Sequence, residues 1–273
     1  MGVVDAIKKG FGVASKNLLL ISVLFVFNLI WNMVNIALMP AGAISTPGAA
    51  PAATTPLAIP PEAAIISLIA SMVFILASIF MQGGSLGLVK DYIKEGKMKL
   101  GGFASYGLKY YLRLLGLGIL ILLLVVIVAL IATLIIAATA PLNNVVATVV
   151  AAIIAIAIGL VGIYFVILLV MAPYSLVCDD TGVIAAMKKS MSVVRKSFWK
   201  VLLLLISLVL IAIGIGVLIG IVTGLLTVAM PAKAGQVIIG IVNSLFNGYF
   251  GVVMMAAFMA YYFALSGKEK AAA

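Results

Sequence analysis

Apolar residues run along this chain rather than alternate. Between charged positions they occupy residues 17–61, 63–89, 114–178, 201–232 and 234–267, stretches of 45, 27, 65, 32 and 34 residues. A helix rises about 1.5 Å per residue, so roughly 20 apolar residues cross a hydrocarbon core about 30 Å thick. The pattern predicts six spans, near 18–39, 63–88, 114–138, 145–172, 199–228 and 235–265. The 65-residue stretch holds two of them, because a bilayer fits no single helix of that length. Ala140, Pro141, Leu142, Asn143 and Asn144 supply its turn, and Met230, Pro231, Ala232 and Lys233 break the last pair in the same way. Six prolines (Pro40, Pro47, Pro51, Pro56, Pro60 and Pro61) crowd residues 40–61, which reads as an extended external loop. The fold class expected is an all-α polytopic bundle in a single membrane domain over 1–273.

Polar periodicity adds a second layer. Val4, Ile7, Phe11, Ala14 and Leu18 match Ile184, Met187, Met191, Val194 and Phe198 at an offset of 180, one face of a helix in each copy. Lys8, Lys9 and Lys16 match Lys188, Lys189 and Lys196. Interfacial amphipathic helices are therefore expected over 2–15 and 181–196, with Asp180 as N-cap of the second. A weaker copy at 100–112 carries Leu100, Phe103, Gly107, Tyr110 and Leu114 on the same template. The organisation implied is three tandem units, each an interfacial helix followed by a helical hairpin.

Charge then fixes orientation. The net charge is +10 and 9% of residues are charged, against 66% hydrophobic; mean hydropathy is +1.39. Sixteen of the seventeen Lys and Arg residues fall on one side of the predicted spans, and Lys233 alone on the other. The positive-inside rule places both termini in the cytoplasm of a multi-pass cell-membrane protein. The basic excess is thus an orientation device and not a nucleic-acid surface. Lys8, Lys9, Lys16, Lys188, Lys189, Arg195 and Lys196 are expected to meet the headgroups of anionic lipids.

Candidate chemistry is sparse. The chain has no His, one Cys and seven carboxylates, none deep in an apolar stretch. Proton coupling and metal catalysis normally place ionisable groups or ligands at depth. No cofactor and no metal site is expected. Glu62 and the Asp179–Asp180 pair are the only acid candidates for an enzyme acting on lipids, and the pair reads more simply as a capping region. Tyr92, Tyr110, Tyr111, Tyr174, Trp199, Tyr261 and Tyr262 fit an interface belt. Cys178, at the same edge, reads as a buried thiol or a palmitoylation site.

Inside the spans, Asn28, Asn32 and Asn35 share one face of span 1, and Ser67, Ser71, Ser78, Gln82 and Ser85 one face of span 2. Gly240, Ser244, Asn247 and Gly251 share a face of span 6, with Asn243 beside it. Such groups must face protein or water, so these stripes either pack between helices or line a polar interior. Ala212, Gly216, Gly220 and Gly224 make a small-residue ridge on span 5. It forms either a seam with Gly240, Ser244 and Gly248 of span 6, the favoured reading, or a subunit interface. Gly83, Gly84 and Gly87 are expected to loosen span 2, and Pro173 to kink or stop span 4.

The segment Ala185–Trp199, with its cationic run entering a span, together with Pro173-Tyr174 and Cys178-Asp179-Asp180, resembles a group of six-helix archaeal and bacterial membrane domains. These are related to the membrane part of certain glycerophosphodiester phosphodiesterases. The resemblance implies a fold; the catalytic domain of those enzymes has no counterpart here. Two functions follow as expectations. One is a non-catalytic scaffold, accessory subunit or membrane-shaping component, partnered by anionic lipids and by a homo-oligomer or membrane complex. The other is a passive channel or permease for a small neutral or amphipathic solute, with the Asn stripe of span 1 facing the serines of span 2.

Overall fold

The structure, a computed structural model of the chain, describes residues 1–38, 61–139, 144–228 and 230–267. Helices dominate these residues, and they contain no strand: α1 (Val3–Lys16), α2 (Leu18–Leu38), α3 (Pro61–Glu95), α4 (Phe103–Ala137), α5 (Val145–Leu169), α6 (Ala172–Asp179), α7 (Val183–Lys196), α8 (Phe198–Thr227) and α9 (Ala232–Leu265). Six of the helical segments are long and apolar enough to cross a membrane. The expected loop 40–61 lies outside the described residues, except that Pro61 opens α3. The turn before α5 is described only at Asn144, whose side chain accepts from the N–H groups of Val146 (2.9 Å) and Ala147 (3.3 Å), an N-cap.

Pro173 does stop the fourth span. α5 ends at Leu169 and α6 restarts with the proline in its first turn, where a missing N–H costs nothing. Because consecutive spans run in opposite directions, the ends of α3, α5 and α9 meet the starts of α2, α4 and α8. Apart from Lys233, every described Lys and Arg lies on this side, called here the basic end.

The offset of 180 survives in three dimensions. α1 and α7 are each 14 residues, are preceded by extended Gly2 and Gly182, and end at Asn17 and Ser197 with φ of −125° and −133°. Buried Ala6, Gly10 and Ala14 correspond to buried Ala186, Ser190 and Val194. The face turned inward is therefore the small-residue face, and Val4 and Ile184 point outward instead. The middle copy differs: there is no separate helix over 100–112. A 3-10 turn at Leu100–Gly102 leads into α4, which runs unbroken into its span. At the breaks, Asn17 and Ser197 carry polar side chains, and Asn17 Nδ2 donates to the Val13 carbonyl at 2.7 Å. Such side chains compete with backbone bonding, whereas the corresponding residue of the middle copy, Arg113, reaches away to Asp180.

The three pre-span segments pack by one rule, each onto the last span of the preceding unit. The start of α4 lies on α3, α7 lies on α5 and α6, and α1 closes the ring by lying on α9. Small residues allow these contacts. A Cβ on Gly10 would lie 2.6 Å from the Val253 carbonyl oxygen, and one on Gly107 2.5 Å from the Phe80 ring. Ser190 donates to the Leu168 carbonyl at 2.6 Å. Gly83, Gly84 and Gly87 belong to the same device. They do not loosen α3, which is continuous; they seat Gly107, Phe103 and Tyr106 of α4.

The core consequently sits at the basic end. Residues 252–263 of α9 are almost all buried, among α1, the ends of α3 and α5, α6 and the first turns of α8. Tyr110, Tyr261 and Tyr262 belong to this core and not to an interface belt, whereas Trp199 remains 78% exposed. Toward the opposite end the outward faces of α3, α4, α5 and α8 carry exposed Leu, Ile and Val along their length.

Candidate functional site

Two places gather polar chemistry. The first is the junction around α6 at the basic end. Asp180 sits in the left-handed region (φ 53°, ψ 39°), which Asp tolerates better than most residues, and it ends α6. Gly182, and not Asp180, caps α7. A carboxylate at a helix C-terminus opposes the helix dipole, and here two cations on α4 offset it. Lys109 Nζ and Arg113 Nη1 each lie 2.7 Å from the Asp180 carboxylate. The Lys109 hydrogen bond, then that of Arg113, holds this carboxyl below its ordinary 3.8. The neighbouring Asp179 side chain is almost fully buried, where it accepts from Tyr262 of α9 and pairs with Lys189 of α7. Lys90 of α3 donates to the Val177 carbonyl (2.9 Å), and Tyr106 donates to Asp91 (2.7 Å). α6 is thus tied to α3, α4, α7 and α9. Both aspartates of the expected acid pair are engaged in ion pairs, and Glu62 stands apart, exposed in the first turn of α3.

Among the expected lipid-facing cations, Lys8, Lys9, Lys16, Lys188, Arg195 and Lys196 are exposed. Lys189 is the exception, turned inward onto Asp179. Sequence spacing grouped it with Lys188, but adjacent residues on a helix point about 100° apart.

The second place is a recess of about 190 Å³ between α2 and α9, lined by Asn32, Asn35, Gln236, Gly240 and Asn243 with Ile36 and Ile239. The Asn stripe faces α9 and not the serines of span 2. Asn32 Nδ2 donates to the Ser244 hydroxyl (2.8 Å) and to the Asn28 carbonyl (3.1 Å). Asn28 bonds back to Leu24, Asn35 to Trp31, and Ser244 to Gly240. The span 2 stripe does not converge on a site. Ser71 and Ser78 bond their own helix, Gln82 is exposed, and Ser85 is buried with no partner for its hydroxyl. α2 meets α3 through rings instead, Phe27 and Trp31 stacking on Phe74.

The span 6 ridge finds its seam on α2, not α8. A Cβ on Gly240 would meet Met33 and Asn32, and one on Gly248 would lie 3.0 Å from the Phe25 nitrogen. Gly216, Gly220 and Gly224 of α8 have nothing within 4 Å, while Ala212, nearer the basic end, packs on the core. The expected seam between spans 5 and 6 is therefore not formed by those glycines. Gln236 was the residue the stripes missed. It precedes Gly240 and Asn243 at i, i+4, i+7, a spacing readable in the sequence.

These features define an all-helical, multi-pass membrane protein with a basic end cross-tied by polar contacts and a polar cleft between its second and last helices. Within that class the chain belongs to the family described as a domain of unknown function (DUF7847), which matches residues 1–265. No curated protein and no solved structure matches it.

Proposed function

We propose that the chain is a non-catalytic membrane component, a scaffold or accessory subunit, whose basic end rests on the anionic cytoplasmic leaflet and whose α9 receives a further transmembrane helix. One observation carries the reading. Asn243 and Asn247 lie about 17 and 23 Å along α9 from its start, within hydrocarbon depth for a span of this length. Both are exposed, and neither makes a side-chain hydrogen bond among the described residues. An amide left alone in hydrocarbon costs several kcal/mol, so these groups call for a partner that offers hydrogen bonds. The engagement of Asp179 and Asp180 in structural ion pairs supports a role without chemistry of its own.

The recess beside Asn243 favours a second reading, a passive permease in which water takes the partner's place. One experiment separates the two. A photo-crosslinking residue at 247, activated in cell membranes, gives a discrete protein adduct on the first reading, and Asn243→Leu abolishes it. No adduct, with Asn247→Cys (Cys178→Ser background) labelled by a membrane-impermeant thiol reagent, overturns the scaffold in favour of the permease.

A further inference from the structure

Some cations of the basic end are tied into the core and others are not. Lys90, Lys109, Arg113 and Lys189 are satisfied by carbonyls and carboxylates around α6. Lys188 and Arg195 are not: they lie on another face of α7, and no carboxylate pairs with either among the described residues. Together with Ser192, whose hydroxyl bonds no described group, they line a recess of about 360 Å³. Its remaining wall is apolar, made of Phe165 and Leu168 from α5 and Met191 from α7. Positions 188, 191, 192 and 195 follow i, i+3, i+4, i+7, so the two cations and the hydroxyl flank one groove two turns long.

We infer that this recess is a binding site for one anionic phospholipid. The phosphate would sit between the Lys188 ammonium and the Arg195 guanidinium, donors suited to a phosphate oxygen, with the Ser192 hydroxyl as a third donor. The acyl chains would descend along α5 past Phe165, over the exposed face carrying Val161 and Leu160. Unneutralised cations beside an apolar wall call for an anion, and the apolar track continuing into hydrocarbon depth selects a lipid over free phosphate. Recognition on α7 rests on the reading above that the basic end meets an anionic leaflet, but narrows it to a stoichiometric site.

The test uses the full chain in an uncharged detergent, with bound lipid counted by native mass spectrometry. Phosphatidylglycerol, phosphatidylcholine and inorganic phosphate are the probes. The expected result is one retained phosphatidylglycerol, no comparable phosphatidylcholine, and about thirtyfold weaker retention in K188Q/R195Q, the loss of two surface cations. K8Q/K9Q retains the lipid as the parent does. K188R/R195K keeps both charges and is expected to retain it within about threefold; loss there, with an unchanged thermal midpoint, overturns recognition by charge. Equal retention by K188Q/R195Q overturns the site. So does displacement of the lipid by millimolar phosphate, which would make the recess a free-anion site. If the parent shows no preference for anionic lipid either here or in vesicles of graded phosphatidylglycerol content, the broader reading falls as well. A preference shared equally by parent and K188Q/R195Q removes the recess alone.

Discussion

The two ends of this bundle are built from the same apolar residues and obey different rules. At the basic end, α9 is almost entirely buried over residues 252–263, and α1, α4 and α7 are seated through small residues or polar ties. At the opposite end, α5 and α8 carry Val145, Leu218 and Leu225 more than 60% exposed. In water such exposure would drive collapse. In lipid it costs nothing, because acyl chains are as apolar as leucine, so helices associate where backbones approach closely, rings stack or hydrogen bonds form. Hydrophobicity places all six spans in the membrane, and glycine, serine and charge decide which parts of them touch.

The sharpest break of this contrast compares two glycines. Gly10→Leu drives a side chain into the Val253 backbone, which cannot give way, and levers α1 off α9; a loss of about 3 kcal/mol is expected. Gly220→Leu, with open space around it, is expected to stay within about 0.5 kcal/mol in the isolated chain. Unfolding of both variants in detergent, followed by circular dichroism, measures the difference; equal effects would mean that the two ends do not differ. Next in size, Asp179→Asn removes the buried negative charge that Lys189 faces and leaves a single amide oxygen for both Lys189 and Tyr262, and about 2 to 3 kcal/mol should be lost in the same assay. The smallest effect is a pH dependence. The folded-state pKa of Asp180 lies below its ordinary 3.8, so its stabilisation is present above that value and disappears as pH falls through the folded value. The group is largely solvated, so the contribution stays under about 0.5 kcal/mol. Thermal midpoints at descending pH should drop slightly more for the parent than for Asp180→Asn, and parallel curves would show that the Lys109–Asp180–Arg113 clasp is idle.

The same contrast explains what the sequence disclosed. Span positions were legible because burial in lipid is a property of each segment by itself. The relation of α1 to α7 was legible because a repeat leaves a fixed offset, and the structure keeps it down to the break residues Asn17 and Ser197. Packing partners were not. Gly216, Gly220 and Gly224 have the same spacing as Gly240, Ser244 and Gly248, yet only the second set has a neighbour, and that neighbour, α2, lies more than 200 residues away along the chain. Nothing local distinguishes a ridge that meets a helix from one that meets lipid. Gly83, Gly84 and Gly87 looked like points of weakness for the same reason, until Phe103 and Tyr106 proved to occupy them. Charge proximity was a partial hint: Gly83, Gly84 and Gly87 lie next to Lys90 and Asp91, where polar ties hold the backbones together, whereas Gly240 and Gly248 pack on α2 far from that cluster.

The closure of α1 and α2 onto α9 has a consequence for biogenesis. Asn32 and Ser244, partners in the finished protein, are separated by 212 residues. At about 5–20 residues per second, the first span waits roughly 10 to 40 seconds in the bilayer before the ribosome delivers the helix it packs against. Throughout that interval Gly10 and the asparagines of α2 lack their final contacts. The nascent chain is therefore at its most vulnerable to quality-control proteases and stray helices until its last segment is inserted.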